Sequence, residues 1–172
     1  MRPYLLLTPG PLTTSETVKE AMMSDWCTWD EDYNVGIVEV IRKELVELAS
    51  SQPEDYTAVL MQGSGSFCVE ATLGSVIRPE DNLLVAANGA YGKRMGVIAD
   101  YYHLNYHVMK FDETQAVDPE AIDNYLDMHP EVTHVSVVHC ETTTGVLNPL
   151  EAIASVVKKL LLSGKTFSNK IN

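Results

Sequence analysis

The 172-residue chain is poor in basic residues, in cysteine and in long apolar runs. Lysine and arginine together number 12 against 24 aspartates and glutamates, a formal charge of −12. A surface of that sign repels a polyphosphate backbone, which excludes DNA or RNA as the expected partner. The deficit is uneven, since residues 1–150 hold 8 basic and 23 acidic side chains and residues 151–172 hold 4 and 1. No apolar run approaches the ~20 residues needed to cross a bilayer. Leu5-Leu6-Leu7, set between Met1-Arg2-Pro3-Tyr4 and Thr8-Pro9-Gly10-Pro11, is too short for the apolar centre of a signal peptide. These absences predict a cytoplasmic protein with no membrane partner. Cys27, Cys68 and Cys140 are odd in number, widely spaced and without a C-x-x-C pair, which excludes a disulfide framework and predicts free, structural thiols.

What is present is a globular composition, 45% hydrophobic and 21% charged, with no low-complexity tract or internal repeat. Short apolar runs alternate with helix-period segments. Thr13-Thr14-Ser15-Glu16 matches a capping box ahead of a short helix carrying Val18, Ala21 and Met22. Over residues 34–50, Ile37, Val38, Ile41, Leu45 and Leu48 fall three or four apart and share one helical face. Tyr56 to Met61 has the composition of a buried strand, followed by the glycine loop Gln62-Gly63-Ser64-Gly65-Ser66 and a helix from Phe67 to Ile77. A second unit has a strand at Asn82 to Ala87, a turn at Asn88-Gly89-Ala90-Tyr91-Gly92 and a helix towards Tyr102. A third strand spans Asn105 to Phe111. Asp118-Pro119-Glu120 then supplies an N-cap, a first-turn proline and a first-turn acid for a helix ending near His129-Pro130. Thr133 to His139 is a fourth strand, and a helix from about Pro149 to Leu162 stops at Gly164. Four βα units in succession predict an α/β fold, three-layered, with a mostly parallel sheet and helices on both faces.

In such a sheet a ligand lies beyond the carboxyl ends of the strands, so the loops after Met61, Ala87 and His139 are where chemistry is expected. Gly63-Ser64-Gly65-Ser66 combines backbone a ligand can approach, hydroxyl donors and a following helix N-terminus, a combination that suits a phosphate. A tight turn without a ligand reads equally well from these residues. A dinucleotide fingerprint would need glycine where Cys68 stands, and a Walker A motif ending at Gly164-Lys165-Thr166 would need glycine where Lys159 stands. Tyr91 lies between two glycines at the mouth of the sheet, either against a planar ring or packed on its own helix as a surface tyrosine. His139-Cys140-Glu141 matches the H-x-E of zinc deaminases, but no P-C-x-x-C follows, so no metal is expected. Neighbouring residues on a strand face opposite ways, which argues against a Cys140–His139 nucleophilic pair and makes His139 a satisfied strand-end residue. The Met22-Met23 pair and Leu160 to Leu162 are expected in a core or an interface.

Taken together, Leu5 to Pro11, Gln62 to Ser66, Asn88 to Gly92 and His139-Cys140-Glu141-Thr142-Thr143-Thr144-Gly145 resemble the class V aminotransferases, pyridoxal phosphate enzymes of fold type I. With Thr28-Trp29-Asp30-Glu31-Asp32-Tyr33-Asn34 and the triple threonine, the likeness is greatest to members that take the amino group from a small phosphonate amine and pass it to a 2-oxo acid. The resemblance covers residues 4 to about 166. It implies a pyridoxal 5'-phosphate cofactor with its phosphate at Ser64, Gly65 and Ser66, its pyridine ring stacked on Tyr91 and its phenolic oxygen near Thr142. It further implies a substrate mouth along Thr8, Gly10 and Pro11, a homodimer, and transamination with pyruvate in a phosphonate breakdown route. Alanine or serine with glyoxylate or pyruvate are the substrates of sister enzymes. The implied organisation is an N-terminal arm and first helix over 1–33, an incomplete cofactor-binding large domain over 34–167 and a polar tail over 168–172.

Where the family continues Gly-Lys-Thr into a strand ending in the aspartate that holds the pyridine nitrogen, and later the lysine that anchors the cofactor, this sequence reads Thr166-Phe167-Ser168-Asn169-Lys170-Ile171-Asn172. No residue here is therefore assigned a catalytic role. The expectation is an N-terminal portion of an aminotransferase, inactive by itself, or else a non-enzymatic product that at most binds a phosphate ligand.

Overall fold

A computed structural model describes residues 4–162. The helix stop at Gly164 and the 168–172 tail lie outside those residues. The chain divides into two units, residues 1–62 and residues 63–172.

In the first unit, Leu7 and Leu12 form an antiparallel bridge that closes the turn bearing Thr8, Gly10 and Pro11, with a cis Gly10–Pro11 peptide. The Leu6 amide donates to Thr13 Oγ1 at 2.7 Å, and the Thr13 amide returns a bond to the Leu6 carbonyl at 3.0 Å. With Thr13 so engaged, the cap of helix α1 (Glu16–Ala21) is Ser15, whose side chain accepts from the Val18 amide. The expected capping box is thus displaced by two residues. A short α2 (Glu31–Tyr33) runs through a π-helical turn (Asn34–Glu39) into α3 (Val40–Ala49). The 34–50 helix is present, but its apolar face is largely uncovered: Val46 is buried, whereas Ile41, Leu45 and Leu48 are exposed, as are Met22 and Met23.

Tyr56 to Met61 joins no ladder and no helix, which corrects the expected first strand. Its composition states what a strand there would bury, but a strand also needs a neighbour, and none pairs with it among the described residues. Arg42 tethers it, donating from Nε to the Ala58 carbonyl and from Nη2 to Thr57 Oγ1, both at 2.8 Å.

The second unit is the α/β body. Helix α4 (Gly65–Val76) leads to β1 (Asn82–Ala87), α5 (Ala90–Tyr101), β2 (Asn105–Lys110), α6 (Pro119–Met128) and β3 (His134–Val137). A small hairpin of β4 (Cys140–Glu141) and β5 (Val146–Leu147) precedes α7 (Leu150–Leu162). The parallel sheet has the order β2-β1-β3, with Val85 facing Val108 on one side and Ser136 on the other. Among the described residues, three parallel strands stand where four were expected.

The central strand β1 is buried on both faces, and the period-2 alternation of side chains sorts its residues between two cores. Leu84 and Ala86 pack with Ile122 and Leu126 of α6 and Ile153 of α7; Leu83, Val85 and Ala87 pack with Leu73 of α4 and Met95 and Ala99 of α5. Helices therefore cover both faces, giving the three layers. Asp118 accepts from the Glu120 amide at 2.9 Å and Pro119 opens α6, as the residue types require. Tyr102 ties α5 to α4 by donating to Glu70 at 2.9 Å. That hydrogen bond, then burial and the Glu70 charge, hold the phenol above its ordinary pKa.

Candidate functional site

Three of the expected loops lie in the second unit. Ser64 is the N-cap of α4, extended in backbone, with Oγ accepting from the Phe67 amide at 3.3 Å. The first backbone bond of the helix runs from Cys68 N–H to the Ser64 carbonyl, so the Gly65 and Ser66 amides point out of the helix end without an acceptor among the described residues. A Cβ built on Gly65 meets nothing within 4 Å. This is open backbone at the positive end of a helix dipole, and it fits a phosphate. Ser66 Oγ accepts from Arg94 Nη1 at 2.6 Å, which leaves its own hydroxyl proton free to donate. The Arg94 guanidinium also lies 5.4 Å from the centroid of the Tyr91 ring. One α5 arginine thus spans from the α4 cap to the aromatic expected under a cofactor ring.

Tyr91 lies in the first turn of α5, whose N-cap, Gly89, has no side chain to offer. The acceptor comes instead from Glu141, which is fully buried. Its Oε2 accepts from the amides of Tyr91 at 3.1 Å and Gly92 at 3.4 Å, and its Oε1 from the Thr143 hydroxyl at 2.6 Å. The Glu141 carbonyl accepts from the amides of Thr144 and Gly145, the latter in the left-handed region at φ 78°. Thr142 sits exposed on this turn, one residue from the buried carboxylate. The His139-Cys140-Glu141 segment is consequently not a strand end: Cys140 and Glu141 belong to the hairpin, and His139 is exposed on a bend with its carbonyl, at 2.7 Å, accepting from Asn148. All three cysteines are unpaired and exposed rather than packed.

Beneath these loops two buried asparagines lock together the carboxyl ends of the sheet. Asn88, after β1, donates to the Gln115 carbonyl at 2.8 Å and to Asn148 Oδ1 at 2.9 Å. Asn148 donates to Asn88 Oδ1 at 3.0 Å and to the Val138 carbonyl at 2.7 Å, and accepts from the Val117 amide at 2.8 Å. One side-chain pair therefore joins the segments that follow β1, β2 and β3. From the sequence, Asn88 reads as a turn residue, Asn148 carries no signal, and Glu141 belongs to a metal motif that is rejected. The signal available for Glu141 was indirect, a helix start at Gly89 with no capping side chain of its own.

The structure thus brings Ser64, Gly65, Ser66, Tyr91 and Thr142 into one unit, with Ser66 joined to Tyr91 through Arg94, and Tyr91 to the Thr142 turn through Glu141. Thr8, Gly10 and Pro11 sit on the closed turn of the first unit. Residues 35–162 match the family described as Aminotransferase class-V. The chain belongs to the class V aminotransferases. Among curated relatives, a 2-aminoethylphosphonate–pyruvate transaminase of Phocaeicola vulgatus is 67% identical over 158 residues, which cover 92% of this chain and 44% of that protein. One from Vibrio vulnificus is 59% identical over 155 residues, 90% of this chain and 42% of that protein. The chain therefore spans less than half the length of the relatives it matches. Among solved structures, a ureidoglycine–glyoxylate aminotransferase from Bacillus subtilis superposes with a TM-score of 0.80 at 28% identity, covering 93% of this chain and 41% of that one. These likenesses bear out the expected family and the expected three-layer fold. Aminotransferases of this class use pyridoxal phosphate. Among the described residues, no helix is long and apolar enough to cross a membrane.

Proposed function

We propose that this chain is the cofactor-binding portion of a cytoplasmic, homodimeric transaminase that moves the amino group of 2-aminoethylphosphonate to pyruvate, leaving phosphonoacetaldehyde and alanine, in phosphonate breakdown. The observation that carries this reading is the high identity, across nine-tenths of the chain, to relatives bearing that activity in their names. The domain boundaries at residues 33 and 167 are part of the same proposal.

In this reading the Gly65 and Ser66 amides and the Ser64 and Ser66 hydroxyls hold the cofactor phosphate, and the α4 dipole adds a favourable field. Tyr91 presents a ring face to the pyridine, and Thr142 lies by the phenolic oxygen. Bound pyridoxal phosphate supplies an electron sink for the pair released when the substrate's Cα proton leaves. The residues of this chain bind and orient; none of them is assigned that proton. Thr8, Gly10 and Pro11 are proposed to line the substrate mouth.

Two measurements test the proposal. In the 172-residue chain, pyridoxal phosphate or inorganic phosphate should slow amide exchange at Gly65 to Phe67 more than in the first turn of α6. Gly65→Val should remove the effect by filling the open backbone. Equal protection at both helix starts overturns the phosphate assignment. In the complete polypeptide, kcat/KM for 2-aminoethylphosphonate should exceed that for alanine, with pyruvate and glyoxylate as the respective acceptors. A preference for alanine would assign the protein to the carboxylate-donor branch of the class instead.

A further inference from the structure

Helix α5 has no cap of its own making. Gly89 precedes it with no side chain, and the acceptor for its first-turn amides is a carboxylate 50 and 49 residues further along the chain. A helix capped by its own residue keeps its position whatever a distant loop does. The first-turn amides of this one keep their side-chain acceptor while Glu141 stays in place. The fit leaves no alternative occupant, because a Cβ on Gly89 would fall 2.3 Å from Glu141 Cγ and 2.4 Å from Cδ. The carboxylate suits the place electrostatically, since a negative charge at a helix N-terminus is favoured, and the Thr143 hydroxyl satisfies its other oxygen.

We propose that Glu141 is a positioning residue for the cofactor ring: its single buried carboxylate fixes the first turn of α5, and with it Tyr91, relative to the Thr142–Thr143 turn. The inference rests on the reading of the site as a pyridoxal phosphate site. Its chemical content is that the ring support hangs on Glu141, whereas the phosphate-facing amides belong to α4 and meet α5 through the Arg94–Ser66 hydrogen bond alone among the described side-chain contacts of the cradle. The phosphate cradle belongs to α4 and is built from Ser64, Gly65 and Ser66. Tyr91 and the threonine turn depend on Glu141. Loss of the carboxylate should loosen the grip on the ring and spare the grip on the phosphate.

The test compares the wild-type chain with Glu141→Gln, which keeps the shape but sets an amide N–H2 against existing donors. The milder Thr143→Val, on the exposed turn, removes one of the three donors. Without ligand, exchange at the Tyr91 and Gly92 amides should rise about tenfold in Glu141→Gln while α6 amides hold their rates. The Kd for pyridoxal phosphate should weaken about tenfold, and that for inorganic phosphate should stay within about twofold. Thr143→Val should shift the same two quantities in the same direction by a smaller factor. A purely structural role would weaken both ligands alike and speed exchange everywhere, and that pattern overturns the proposal. So does an unchanged affinity for pyridoxal phosphate. If the wild-type chain binds neither probe, the reading of the site as a cofactor site fails and takes the ring role with it, while the exchange rates report separately on whether Glu141 caps α5.

Discussion

Replacing Asn148 by leucine should cost the α/β body more than about 3 kcal/mol, because it strands several buried polar groups at once. Asn148 is 2% exposed and its partner Asn88 1%. The leucine would leave the Val117 amide, the Val138 carbonyl and both ends of the Asn88 amide short of a partner. Each unsatisfied buried group carries a penalty of about 1–3 kcal/mol, against a total stability of about 5–15 kcal/mol for an ordinary domain. Asn148→Asp separates the acceptor role from the donor role. The carboxylate still accepts from Val117 but faces the Asn88 and Val138 oxygens with negative charge where two N–H donors stood. Protonation restores one donor, so the defect of Asn148→Asp should shrink as the pH falls, whereas that of Asn148→Leu should not. Urea unfolding of both variants across pH checks this. A loss below about 1 kcal/mol for the leucine variant would show that the carboxyl ends of the three strands are held by something other than the asparagine pair.

The segments legible in the sequence are those whose cause is local. The β1, α5, β2, α6, β3 and α7 elements announce themselves through period, cap and first-turn proline within a dozen residues, and they form close to where they are expected. What was not legible is pairing at a distance. Tyr56 to Met61 carries the side chains of a buried strand, yet whether it becomes one depends on a neighbour that no local pattern names. Glu141 reads as the first residue of a loop and the acid of a metal motif that does not complete, and its partners are amides about 50 residues earlier. The short hairpin of β4 and β5 was absorbed into a loop because four residues of ladder leave no periodic trace. Thr13 and Ser15 show the same limit on a small scale, since both have capping chemistry and the bond that Thr13 Oγ1 accepts from the Leu6 amide decides between them. The site itself was legible in part. The glycine loop and Tyr91 stood out by residue type, whereas the groups that fix them in space, Arg94, Glu141 and the asparagine pair, did not.

Two glycine-to-alanine substitutions in neighbouring helices should move stability in opposite directions. Both glycines lie inside helices, where alanine is favoured by about 0.5–1 kcal/mol through the unfolded chain's lost freedom. At Gly74 of α4 the added Cβ would meet the Tyr102 ring at 3.6 Å, an ordinary contact, so Gly74→Ala should stabilise by about that amount and raise Tm by a few degrees. At Gly92 of α5 the same methyl would lie 2.8 Å from both Cα and Cβ of Ala87. Those atoms belong to the end of β1, the central strand, where Ala87 is paired with Lys110 of β2 and follows Ala86, itself paired on both sides, so the backbone has little room to recede. The helix must move instead, against the packing of Met95 and Ala99 on the sheet, and overpacking of this kind costs about 1–3 kcal/mol or more. The penalty exceeds the propensity gain, so Gly92→Ala should lower Tm. It should also weaken pyridoxal phosphate binding more than its stability loss alone explains, since Tyr91 and the Glu141 contact ride on the displaced turn. Thermal unfolding of the two variants side by side decides the matter. Equal stabilisation by both would mean that α5 shifts on the strand at no cost and that close approach of helix to sheet is not what requires glycine beside Tyr91.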